Sequence, residues 1–333
     1  MVMDMIKIAK ELNISPSAVR KALFHEKNVS AKTRELVFAH VGAQKPCVPS
    51  AEKPSVGVVL PASPGYYWDA VFQGVKQSLS DALNVHFAFY SSMGSGHEGT
   101  YALDYIQNLD LLIVAPSISE EVQKKIIALS GKMPVVYVAD GLQTPQLATV
   151  CVDYFDEGFR FGKAYAKEFP DRKRILLVHV YNSVGSRTRT EGFKKAVLDA
   201  GCTISGDIEM GMLSSPAASV LARKIHASYK DGFDCLYCGT GATSHVALAL
   251  SKLKLKEDVF CVGYENPKAN VPYIENGIIR LLSVHNAALL GATAGRIAED
   301  YLLRQKMPDV KKIYQPAEIY VNRNGTMVPI IKD

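Results

Sequence analysis

The sequence predicts an α/β chain in which a small all-α N-terminal domain precedes two doubly wound parallel-sheet subdomains. Three observations carry that expectation. Beyond Val56, short apolar runs alternate with amphipathic stretches, the order that places parallel strands under right-handed crossovers. Nine candidate strands are more than one sheet holds comfortably, so two sheets with a cleft between them fit better. Finally, residues 44–55, QKPCVPSAEKPS, contain three prolines and no hydrophobic period, which reads as an extended linker. The expected domains are therefore 1–43, all-α; 44–55, linker; and 56–333, the two-subdomain α/β body.

Taken in order, Met5, Ile6, Ile8, Ala9 and Leu12 form an apolar stripe over a first short helix. After a turn at Asn13-Ile14, Ser15 caps a second helix. Pro16 stands at its first position, where a missing N–H costs nothing. Val19, Ala22 and Leu23 recur at helical spacing on one face of it. Ser17, Ala18, Arg20, Lys21 and His25 take the other. Ser30 caps a third helix with Thr33, Leu36, Val37 and Val41. In the α/β body the expected strands are Val56–Leu60, Val85–Tyr90, Leu111–Ala115, Val135–Ala139, Ile175–Val180, Thr203–Ile208, Cys235–Cys238, Val259–Gly263 and Leu281–Val284. Helices are expected between them near 68–83, 100–108, 119–130, 155–168, 188–200, 216–229, 243–253 and 287–304.

Composition narrows the function classes. With 333 residues and 48% hydrophobic content, the chain is neither disordered nor collagen-like nor a rod. It has no run of 18 apolar residues to cross a membrane. MVMDMIKIAKEL lacks the apolar core of a signal peptide, so a cytoplasmic location is expected. The six cysteines (Cys47, Cys151, Cys202, Cys235, Cys238 and Cys261) are expected to be reduced. Charge is uneven: residues 1–53 carry nine basic and five acidic side chains, +4 of the net +5. A basic segment attached to a near-neutral body is the usual footprint of a nucleic-acid module. A protein-interaction module with solvated charges remains the alternative.

IKIAKELNISPSAVRKALFHEKNVSAKTRELV resembles the helix-turn-helix of the lac/galactose repressor family, and VSAKTRE matches that family's third helix. The resemblance continues through nearly the whole chain as a periplasmic-binding-protein type I-like effector domain. It implies a DNA-binding transcription regulator, a repressor, whose operator affinity is switched by a small molecule, commonly a sugar. It also implies a homodimer, or a tetramer, on double-stranded operator DNA. By position Pro16, Ser17 and Lys21 match the family's base-reading sites, and Ser15, Ser30 and Thr33 its phosphate contacts. Arg20 replaces the small residue expected beside them. Phosphate contacts position such a module and base-edge contacts specify sequence. The family's tyrosine-proline turn and leucine-bearing hinge helix have no counterpart in FAHVGAQKPCVPSAEKPS, so a minor-groove wedge of the usual form is not expected.

The resemblance also implies effector-binding positions. Tyr66, Tyr67 and Trp68 stand at the family's aromatic turn, where rings suit a sugar's C–H face, unless they pack as core. Asp140 ends a strand, where it either accepts from ligand hydroxyls or caps a turn with Gly141. Asp153 either faces the cleft or caps a helix. Arg189, Gly192 and Phe193 match the family's Arg-x-x-Gly-Phe, with Arg187 a nearby competitor; a guanidinium suits vicinal hydroxyls or a carboxylate. Thr240 stands where the family has an Asn-Asp pair, and Glu265 where it has Asp. His285 either contacts ligand or satisfies a crossover strand.

Catalytic, metal and cofactor readings find no support. Cys235 and Cys238 form a lone CxxC inside an apolar strand, which suits core better than zinc. GTGATS completes no nucleotide-binding glycine pattern, and no serine sits in a nucleophile elbow. An enzyme acting on sugars would have only Asp140 and Glu265 to offer as paired carboxylates. A sugar-binding sensor without a DNA-binding role is the remaining rival, set apart by what removal of residues 1–53 does.

Overall fold

In the computed structural model, the described residues are 5–23, 29–30, 32–33, 36–37, 53–61, 66–90, 102–104, 106, 108–115, 120–139, 141–142, 144–180, 184–210, 215–228, 232–253, 255, 258–265 and 267–330. Most of the proline-rich segment expected at 44–55, and Asp140, lie outside them. The chain divides into two compact units: Met1–Cys151 with Asn286–Gln315, and Val152–His285 with Pro316–Asp333.

At the start of unit 1, α1 (Met5–Glu11) and α2 (Pro16–Leu23) are joined by a turn in which Asn13 takes φ 53°. Asn is among the few side chains that tolerate this left-handed conformation. Ser15 Oγ accepts the amide of Ala18 at 3.0 Å and so caps α2. Ile8, Ala9, Val19, Ala22 and Val37 are buried together in a small core.

The rest of unit 1 is a six-stranded parallel sheet. Its strands are β1 (Ser55–Pro61), β2 (Asn84–Tyr90), β3 (Leu111–Val114), β4 (Val135–Ala139), β5 (Ala148–Cys151) and β11 (Lys312–Tyr314), in the order β11-β5-β4-β3-β1-β2. Strands β1, β3, β4 and β5 are wholly buried, as continuous apolar runs between helices should be. α3 (Tyr66–Ser78) follows β1 and α4 (Glu120–Ser130) follows β3. The long helix here called α10 (Ala287–Arg304) packs against α3.

Unit 2 repeats the plan. Strands β6 (Arg174–Val180), β7 (Thr203–Met210), β8 (Cys235–Cys238), β9 (Phe260–Tyr264) and β10 (Ile279–Val284) run parallel in the order β10-β9-β8-β6-β7. An antiparallel pair, β12 (Glu318–Arg323) and β13 (Thr326–Pro329), extends the β10 edge. The helices are α5 (Tyr154–Glu168), α6 (Val184–Asp199), α7 (Ser215–Ser228), α8 (Thr243–Ser251) and the short α9 (Val271–Glu275). All nine strands expected from the sequence are present within a residue or two of their bounds, and β5, β11, β12 and β13 are additional.

The duplication extends to single residues. In unit 1 α3 packs on α10, and in unit 2 α6 packs on α5. Gly74 and Gly192 are the ninth residues of α3 and α6, and Gly291 and Gly158 the fifth residues of α10 and α5. A Cβ on Gly291 would run into the Val71 carbonyl, and one on Gly158 into the Arg189 carbonyl. Both pairs therefore approach backbone to backbone. Each incoming helix is capped alike: Asn286 accepts Leu289 N at 2.9 Å, and Asp153 accepts Asp156 N at 3.0 Å. Of the two readings open for Asp153, capping is the one the hydrogen bonds express.

Candidate functional site

In a 2-1-3-4-5 parallel sheet the strand order reverses between the first and third strands, and ligands collect beyond the carboxyl ends there. In unit 2 that point lies between β6 and β8. Arg189, on the helix after β6, spans it by donating from Nη1 to the Gly239 carbonyl after β8 at 3.3 Å. Its Nε donates to Glu157 Oε2 of α5 at 2.9 Å. The guanidinium carbon lies 4.1 Å from the centre of the Tyr264 ring and 5.0 Å from that of Tyr154. Below it, Phe193 stacks on Tyr237 at 3.9 Å, and Tyr237 and Tyr264 join their hydroxyls at 3.2 Å.

Glu157 is the hub. Its Oε1 accepts from Ser283 Oγ at 2.7 Å and stands 3.0 Å from His285 Nε2. His285 Nδ1 in turn meets Glu265 Oε1. These are buried charges: Glu157, His285, Arg189 and Glu265 expose only 1%, 5%, 8% and 9% of their surface. Two carboxylates balance two cations, so the cluster is neutral while His285 is protonated.

Burial raises the Glu157 carboxyl, but the Arg189 and His285 charges and the His285 and Ser283 hydrogen bonds outweigh it and bring it down to about 2. Burial alone would lower His285; the Glu157 charge, with the hydrogen bonds that Glu157 and Glu265 accept from the imidazole, pushes it up to about 9. Arg189 stays charged: Glu157 more than offsets its desolvation. The linkage has a definite sign. The His285 contribution, about 3 kcal/mol, is complete below about pH 6.5 and disappears as pH rises through about 9. Glu157 contributes above its ordinary value and loses that contribution as pH falls toward about 2. Urea unfolding between pH 6.5 and 10 should therefore lose stability steeply in the wild type and far less in His285→Gln. Equal slopes in the two proteins would contradict it.

Glu265 has two further features. It is a non-glycine residue at φ 64°, held by its own amide on the Ser283 carbonyl (2.8 Å) and by Asn270 Nδ2 on its carbonyl (3.0 Å). Backbone strain of this kind persists where surrounding structure enforces it, often at binding sites. Its Oε2 is buried and has no hydrogen-bond partner among the described residues.

Of the residues expected to bind an effector, Arg189, Glu265 and His285 thus converge, and Thr240 lies in the turn after β8 beside Gly239, its hydroxyl accepting from Ala242 N at 3.3 Å. Tyr67 and Trp68, on the first turn of α3, are half-buried against the unit 1 core, their rings edge to face at 5.1 Å. Tyr66 opens that helix; its side chain, like that of Arg20, is outside the described residues. Glu157 is the member the sequence reading misses, although its spacing from Phe161 and Tyr165 on the buried face of α5 signals it. Among the residues expected on DNA, Ser15, Pro16, Ser17 and Ser30 are exposed, while Lys21 and Thr33 are half-buried. Ser30 Oγ accepts Thr33 N at 3.0 Å. Cys235 and Cys238 are fully buried in β8, with burial raising both thiols.

Comparison with known proteins bears on this geometry. The family described as a periplasmic binding protein domain matches residues 56–306. No curated protein matches the chain. Among solved structures, the transcriptional regulator CelR in complex with cellobiose is similar at 18% identity, with 95% of this chain and 98% of that one covered and a TM-score of 0.64. A protein assigned as a LacI transcriptional regulator from Bacteroides fragilis is 16% identical over 81% of this chain and 97% of its own, TM-score 0.67. An ABC transporter solute binding protein from Bacillus halodurans with bound myo-inositol is 15% identical over 83% and 97%, TM-score 0.70. At these identities the likeness is one of fold.

Proposed function

The chain belongs to the periplasmic binding protein domain family, and from that premise we propose that it is a ligand-responsive, sequence-specific DNA-binding transcription repressor controlled by a sugar-like small molecule. The family is one of binding domains, and the chain is not an enzyme. The observation that carries the regulatory part is the basic N-terminal element. There α2 buries Val19 and Ala22 while keeping Pro16 and Ser17 exposed at its start. A short helix with small polar groups at its N-terminus is what a major groove admits. The fold likeness to CelR covers 95% of this chain, more than the family match, and supports the same reading. Cellobiose and myo-inositol in similar folds support a polyhydroxy effector. Such an effector shifts operator affinity only by its differential affinity for two states of the protein.

Selection of duplexes from a random pool tests the reading. The full chain is expected to enrich a pseudo-palindromic site, and the chain lacking residues 1–53 to enrich none. Lys21→Ala should weaken binding to the selected site by about 1–3 kcal/mol with sugar binding unchanged. Equal enrichment by the shortened chain would exclude the N-terminal element as the reader. The rival, a sensor that binds sugar but no DNA, is favoured by the likeness to transporter binding proteins, and enrichment by neither protein would decide for it.

A further inference from the structure

The fold builds the same helix pair twice, and the two copies differ in charge. Position six of α3 is Val71 and position six of α6 is Arg189; position four of α10 is Leu290 and position four of α5 is Glu157. Val71 and Leu290 are fully buried in the unit 1 core. The backbone approach they flank is the one described for Arg189 and Glu157, glycine against carbonyl in both units. An apolar pair therefore satisfies this packing, and burying two opposite charges there is no requirement of the fold. Replacing such pairs with apolar residues is often neutral or stabilising, so the charges of unit 2 answer to something else.

What they do is visible in the hydrogen bonds. An arginine that captures a carboxylate or phosphate presents its fork to it. Here Nε is taken by Glu157 and Nη1 by the Gly239 carbonyl. The second cation, His285, lies between Glu157 and Glu265. Among the groups left over at these strand ends is an acceptor, Glu265 Oε2, buried and without a hydrogen-bond partner among the described residues. We propose that Glu157 is a specificity determinant: by pairing with Arg189 and His285 it makes the strand ends of unit 2 accept an uncharged ligand that donates a hydroxyl to Glu265 Oε2, and reject anions. This rests on the ligand-binding part of the function proposed above. An anionic oxygen at that position would face a carboxylate, and the two cations of the cluster already stand against Glu157 and Glu265. A hydroxyl adds no charge and fills the missing hydrogen bond.

The test uses the full chain and its Glu157→Gln variant, in thermal unfolding at pH 6.5 and fixed ionic strength. The probes are glucose, galactose, ribose and cellobiose, the 6-phosphates of glucose and galactose, and sulfate. A ligand that binds the native state raises Tm by mass action. The wild type is expected to bind at least one uncharged sugar, and any matching phosphate at least tenfold more weakly. Glu157→Gln frees one positive charge and is expected to gain at least tenfold in affinity for sulfate or a sugar phosphate. A wild type that binds a sugar phosphate as tightly as its parent sugar overturns the proposal, as does a Glu157→Gln protein with no gain for anions. Should that variant not fold, the wild-type comparison of sugar with sugar phosphate decides alone. Anion gain in the variant without any sugar binding by the wild type would uphold the charge-setting role and sink the sugar reading instead.

Discussion

Glu157→Leu is expected to destabilise the chain by about 3–5 kcal/mol, because it strands Arg189 as a buried cation without a counter-ion. It also removes the acceptor of Ser283 Oγ and the first partner of His285. The informative comparison is the double variant Glu157→Leu with Arg189→Val, which writes the unit 1 pair Leu290 and Val71 into unit 2. It should recover more than half of the loss, since the same glycine-mediated approach already packs an apolar pair in unit 1. Urea unfolding with unchanged m-values reads the cycle directly. A double variant as unstable as Glu157→Leu would mean that the two helix pairs are not equivalent in their packing. A double variant that is stable yet blind to sugar would separate folding from binding at this pair.

Gly158→Ala is the second large effect. Its Cβ would fall on the Arg189 carbonyl and within 3.0 Å of the Phe193 amide, all backbone atoms that no rotamer change can move aside. The helices α5 and α6 must part, at about 3 kcal/mol, the upper end of overpacking costs. Because Glu157 and Arg189 flank the contact, ligand response should fall with stability. Gly291→Ala meets the Val71 carbonyl in the same way but in the apolar copy. It should cost a similar amount and leave the unit 2 charge cluster intact. Thermal unfolding of both variants beside ligand titration distinguishes them: equal loss of ligand response in the two would break the assignment of the site to unit 2.

How much of this is written in the sequence follows from where each element stands. Buried parallel strands such as SVGVVLP and CLYC are short apolar runs bounded by turn residues, and the sequence marks them clearly. The additional strands are edge or near-edge elements. KIY and TMVP are three and four residues long and largely exposed, so no apolar period announces them. The hairpin β12–β13 does carry a sign: Asn324 and Gly325 both take positive φ (53° and 87°), the demand of a two-residue turn that an Asn-Gly pair meets. At the site, Arg189 and Glu265 stand out through their motif and strand-end positions. Glu157 does not, because a glutamate in the first turn of a helix reads as a favourable dipole partner. Only the period of four with Phe161 and Tyr165 reveals that it faces inward. That Arg189 is held by a neighbouring carboxylate, and that Glu265 keeps an open acceptor, depend on contacts across 32 and 20 residues, which no local pattern encodes.

The division of the chain among its units bears on the order in which it becomes a protein. Unit 1 needs Asn286–Gln315 and unit 2 needs Pro316–Asp333. During synthesis from the N-terminus, α3 therefore waits, its Gly74 face uncovered, until α10 leaves the ribosome more than 200 residues later. Neither unit can close early, because each takes in a segment of residues 286–333. A ribosome that stops near residue 285 releases an α/β body missing an essential helix, with apolar surface for chaperones to hold.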